Sequence, residues 1–235
     1  MKIRDSFRNW VVLALAVCVV GFAAAAAAEE ETAAQAGEKT GVEGTFVRVA
    51  ENGEGWVVLG YEIANSSVGN EWMLLDVGMT VMQGVKGQKI TRDQVKLVTP
   101  EGKVLPLPSD EEFAKVRGSL AAMTERDNIM HPSINYFPPG ADRACRIGFF
   151  SDPTRPAQSL SYDEVDLNSQ RACIGRLYFH VPGGIQLGNY NLDVQFANSI
   201  VRVPMKIMTK EEAKKFEKEW KEAEKEAKKE AKHKK

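Results

Sequence analysis

Between Thr45 and Ile207 the chain is a succession of short segments rich in β-branched and aromatic residues, each closed by a turn signal. No other feature constrains the fold as strongly. Segments this short cannot bury a face alone and must pair edge to edge into sheets. They are "TFVRVA" from Thr45, "WVVLGYEIA" from Trp56, "EWMLLDVGMTVMQG" from Glu71, "QVKLVT" from Gln94 and "KVLPL" from Lys103. After an interruption come "ACRIGFF" from Ala144, "RACIGRLYFHV" from Arg171, "NYNLDVQF" from Asn189 and "IVRVPMKI" from Ile200. In the second segment Val57, Leu59, Tyr61 and Ile63 form the more apolar alternate set and are expected to face the core. Gly78 interrupts the third and is expected to mark a bulge or bend. "QVKLVT" and "KVLPL", joined by the Pro-x-Gly turn "PEGK", predict a hairpin.

The interruption has helical period. Ser109 precedes Asp110, Glu111 and Glu112, a capping box with acids where the helix dipole favours them. Phe113, Val116, Leu120 and Met123 continue at helical spacing, so one helical insertion is predicted over 110–124, packed on or across the sheet. The prolines that follow predict a loop from Asn128 to Arg143.

"HVPGGIQLGNYNLDVQF", from His180 to Phe196, poses a choice between a phosphate cradle and a strand corner. A cradle needs its glycines before a helix. Here the following residues alternate with period two: Leu192, Val194 and Phe196 against Asn191, Asp193 and Gln195. A corner is therefore expected. "GNYNLDV", Gly-x-Tyr-x-Leu-x-Val, resembles the segment entering a late strand of immunoglobulin-like sandwiches, where a tyrosine bonds back to nearby backbone. The resemblance implies an architecture and no named family. The buried tryptophan of antibody-type domains has no counterpart between the cysteines. The fold class expected is mainly β: an immunoglobulin-like β-sandwich over 44–208 with one helical insertion, followed by a charged C-terminal α-helix over 209–235.

Lys2, Arg4 and Arg8 precede an apolar run from Trp10 to Ala27, with Ala26 and Ala28 in the A-x-A positions. This predicts a signal peptide over 1–28, cleaved on export to the periplasm or the exterior. The alternative is a retained anchor, since the run reaches the ~18 residues needed to span a bilayer. A lipoprotein signal at Cys18 is disfavoured because Val17 is not small. Residues 29–43, acidic, small and polar, predict a disordered leader. What remains suffices for one domain with a real core, or at most two small ones. The two cysteines that stay, Cys145 and Cys173, predict one disulfide in an oxidising compartment; the alternatives are two free thiols or half of a metal site, the latter disfavoured because no CxxC and no Cys/His cluster is present.

The formal net charge of -1 points to no polyanionic partner. His131, His180 and His233 are isolated in sequence, and neither G-x-S-x-G nor HExxH occurs. No catalytic residue, cofactor or metal ligand is therefore predicted. Asp163, Glu164 and Asp166 lack EF-hand spacing and are read as a solvated acidic loop rather than a calcium site. Asn65 in "NSS" matches a glycosylation acceptor in form. In the tail, Thr209 and Glu212 form a second capping box. Glu211–Lys215, Glu217–Lys221 and Glu224–Lys228 are favourably ordered pairs. Phe216 and Trp220 are candidates for interaction, whether with the body of the protein or with a partner. Interleaved glutamates argue against nucleic acid, and no membrane span is expected after cleavage. The expected role is a non-catalytic binding or structural module that meets an envelope or extracellular protein. The alternative is a small-ligand or metal-binding accessory domain, which a deep pocket with converging polar groups would favour.

Overall fold

The computed structural model describes residues 39–233; the expected signal peptide and the leader as far as residue 38 lie outside them. In chain order the first strands are β1 (Lys39–Gly44), β2 (Val47–Glu51), β3 (Gly55–Gly60), β4 (Trp72–Val81), β5 (Gln88–Thr91), β6 (Val95–Val98) and β7 (Val104–Pro106). Then follow β8 (Arg143–Arg146), β9 (Glu164–Leu167), β10 (Arg171–His180), β11 (Gly188–Gln195) and β12 (Ile200–Ile207). The helices are α1 (Glu62–Asn65), α2 (Asp110–Met130) and α3 (Lys210–His233).

The protein is mainly β, with its strands divided among several sheets. Six strands run in the order β1-β2-β3-β4-β10-β8, four in the order β12-β11-β6-β7, and β5 pairs with β9. Neighbours are antiparallel except β8, which joins β10 in parallel. The expected hairpin is present as β6 and β7. On one face of the large sheet Leu59, Val77, Met79 and Leu177 meet Leu192, Val194, Val201 and Val203 of the four-stranded sheet in one core. On the other face Val58 joins Val47, Val49 and Ile134 in a smaller cluster. Both faces are therefore covered, and β4 is buried almost from end to end.

Several expectations need correction. Residues 39–43 do not belong to a disordered leader: they lie in β1, registered from Lys39 opposite Glu51 to Gly44 opposite Val47. The backbone ladder orders them without any buried apolar side chain, Val42 being exposed, and Lys39 ion-pairs Glu51 at 3.2 Å. β3 stops at Gly60 rather than running to Ala64, because the chain turns into α1. Tyr61 and Ile63 are buried beyond the strand. β4 passes through Gly78 without a bulge. The Phe137 ring occupies the space of a side chain there, 2.6 Å from where a Cβ would stand.

The helical insertion is also longer than the 110–124 expected. Its Ser109–Glu112 capping box forms, but α2 continues to Met130. Its last buried positions are Thr124 and Asp127. These are polar, so an apolar period cannot reveal them. Thr124 Oγ1 satisfies itself on Leu120 O and on the Tyr178 hydroxyl, each at 3.0 Å.

Candidate functional site

β4 and β10 are registered so that Asp76 lies opposite Arg176, and Gly78 opposite Ile174. Ile174, Arg176 and Tyr178 share one face by strand parity. β8 extends that face, with Arg146 beside Ile174. On the opposite face Cys145 and Cys173 are also register partners, at disulfide distance with their Cα atoms 4.1 Å apart. The pair thus fixes β8, and with it Arg146, against β10. A cleft of about 730 Å³ opens over this end of the sheet. Its walls are the segment 131–135 that follows α2 on one side and segment 150–159 on the other. Arg146, Arg155 and Arg176 converge on it, together with Asp76, Asp152 and His131. Ile134, Ile147, Phe150 and Ile174 supply an apolar wall.

Beneath the cleft two carboxylates share one guanidinium. Arg176 Nε donates to Asp127 Oδ2 and stands 3.8 Å from Asp76 Oδ1, while its Nη2 donates to Asn128 Oδ1 at 2.6 Å. Asp127 is fully buried, and its Oδ1 meets no nitrogen or hydroxyl donor. Burial, then the charge of Asp127 and a hydrogen bond with it, push Asp76 up to about 8, against the opposing pull of Arg176. Burial and the neighbouring Asp127 thus favour the protonated form of Asp76. Asp152 behaves oppositely. Burial disfavours its charge, but hydrogen bonds from Thr154 and the charges of Arg176 and Arg155 outweigh burial and hold its carboxyl below the usual range. Arg146 reaches Ser159 Oγ at 2.7 Å.

The residues singled out from the sequence fall elsewhere or serve the frame. Phe216 and Trp220 are both half-buried on α3, and the Arg48 guanidinium lies over the Phe216 ring at 5.2 Å. Of the expected tail pairs, Glu217–Lys221 forms, whereas Lys215 meets Glu219 at 3.9 Å. The side chain of Lys228, in the third, is outside the described residues. Glu164 and Asp166 belong to β9 rather than to a loop; Glu164 pairs with Lys89, and Asp163 approaches Arg92 at 3.5 Å. His131 Nδ1 lies 2.9 Å from Asp127 O, and His180 stacks on Trp72. Asn65 Oδ1 accepts from Met208 N at 2.7 Å, so its amide holds the approach to α3.

The glycine-rich stretch is a corner. Gly184 has φ +89, and a Cβ there would stand 2.6 Å from Gly69 O. Backbone bonds Gly69 N to Ile185 O and Ile185 N to Asn70 O zip this corner to the turn before β4. Tyr190 bonds back as the sequence suggested, its hydroxyl accepting from Gln186 N at 2.9 Å.

Sequence reasoning missed Asp76, Asp127, Arg146 and Arg176. A signal was present for two of them. Asp76 interrupts "WMLLDVGM", and Arg176 interrupts "CIGRLYF". A charge inside an otherwise apolar strand is expected only where a partner waits. Among the described residues no helix is long and apolar enough to cross a membrane. Searches against family models, curated proteins and solved structures found no match to this chain.

Proposed function

We propose that this chain is an exported, non-catalytic binding module whose site is the cleft over β8 and β10, and that its ligand is a small anion-bearing molecule. One observation carries the reading: Arg146, Arg155 and Arg176 converge on an apolar-walled cleft, and burial disfavours the charge of Asp76, the acid that faces them from β4. Positive donors on apolar walls are what an anionic ligand with a non-polar body requires. The geometry thus favours the small-ligand alternative over a protein–protein role through the tail, since Phe216 is already engaged by Arg48. Export to the periplasm or exterior is supported by the signal-like N-terminus and by a cysteine pair at disulfide distance. An immunoglobulin-like sandwich is the finer reading of the fold. The Tyr190 contact supports it, and the parallel β8 is a departure from that architecture.

The test is titration of the mature protein with 8-anilinonaphthalene-1-sulfonate, an anion with an apolar body. Saturable binding that weakens with salt and disappears in Arg146→Gln/Arg155→Gln is expected. Equal binding by the double variant, or none by wild type, would refute the assignment.

A further inference from the structure

We infer that the cleft is matched to a free small-molecule monocarboxylate with an apolar tail; this rests on reading the cleft as an anion site. Charge bookkeeping leads to it. The guanidinium of Arg176 is paired with Asp127 and bonded to Asn128. Its positive charge is thus matched from behind, by α2. Asp76 stands farther from that guanidinium, at 3.8 Å, and burial and the charge of Asp127 disfavour its own charge. What remains on the walls is Arg146 and Arg155 against Asp152. The balance is one positive charge, which one carboxylate neutralises. A phosphate dianion would overshoot it and meet Asp152. The planar fork of a guanidinium also pairs two-to-two with a carboxylate.

The tail is argued from the wall between the charges. Ile174 is 37% exposed although it lies mid-strand in β10, between β4 and β8. Ile147 and Phe150 line the same cleft and are buried. A ligand chain laid over Ile174 removes apolar surface from water on both partners. The cleft volume of about 730 Å³ falls within the roughly 300–1,000 Å³ of small-molecule sites.

The experiment is calorimetric titration of the mature chain at pH 7 with octanoate, octyl phosphate, inorganic phosphate, octanol and a peptide ending in a free apolar carboxy-terminal residue. Octanoate should bind one per chain and roughly tenfold more tightly than octyl phosphate, and octanol should not bind. Arg155→Gln should weaken octanoate by roughly tenfold, the scale of one charge-assisted hydrogen bond. Asp152→Asn, which leaves two positive charges on the walls, should narrow or reverse the preference over octyl phosphate. The thermal midpoint of each variant separates lost binding from lost folding. Preference for octyl or inorganic phosphate in wild type would overturn the monocarboxylate while leaving an anion site. Tighter binding of the peptide would overturn the free small molecule. Loss of sulfonate and octanoate binding together would sink both readings.

Discussion

At the scale of single residues, the proton on Asp76 is the feature with the clearest consequence. Asp127 from α2 and Arg176 from β10 face it directly, and His131, Arg146, Asp152 and Arg155 line the cleft beside it. In the unfolded chain an aspartate releases its proton near pH ~3.9; in the fold Asp76 keeps it up to about 8. Between those values the native state binds one more proton than the unfolded state. This group's contribution is therefore fully present below the unfolded pKa, falls as pH rises through the window, and levels off above the folded pKa. The slope is at most ~1.4 kcal/mol per pH unit. Asp76→Asn keeps a donor for Asp127 and removes the titration. Denaturant melts from pH 4 to 9 should show the variant gaining on wild type as pH rises. Parallel curves would mean that Asp76 is ionised in the native protein.

At the scale of elements, β8 is the piece on which the site depends. It is short, lies at the sheet edge, and is joined to β10 by a parallel ladder and by the cysteine pair. A bond across that pair closes a loop worth roughly 3 kcal/mol in the chain-entropy model. Unfolding with and without reductant should show a loss of that order, and thiol titration of the unreduced unfolded protein should find Cys145 and Cys173 unreactive. Gly175 is a second support, since a Cβ there would stand 2.2 Å from Ile147 O, where the chain leaves β8. Gly175→Ala must push that backbone away, and should cost ~1–3 kcal/mol, the range of overpacked cores. A neutral melt would show that the β8 exit gives way freely. In α3, Phe216 and Trp220 are half-buried whereas Ala223 is exposed. Truncation after Lys221 should leave the thermal midpoint nearly unchanged, and Trp220→Ala should lower it. An equal loss from both changes would mean that the distal turns dock.

At the scale of the whole molecule, legibility followed whether a residue's environment is local. Strands such as β11, with Leu192 and Val194 facing in and Asp193 facing out, announce themselves because one face is wet. Capping boxes at Ser109 and Thr209 did so because their partners lie three residues away. β4 hid its orientation because both its faces are covered, and β1 hid its existence because its residues are mostly polar or glycine and none is buried. The candidate site was least legible. Asp76, Asp127 and Arg176 come from three elements far apart in sequence, and each alone looks like an ordinary charged residue. Only the register of β4 on β10, with α2 laid across them, brings two acids and one base together beneath a cleft lined by arginines. The most direct test of that arrangement is amide chemical-shift mapping of the isotopically labelled mature protein during an octanoate titration. The largest shifts are expected at Arg146, at Ile174 to Arg176 and along Ser151 to Ser159, saturating together at one ligand per chain. Shifts confined to α3 and β1, or none at saturating octanoate, would contradict the cleft as the binding site.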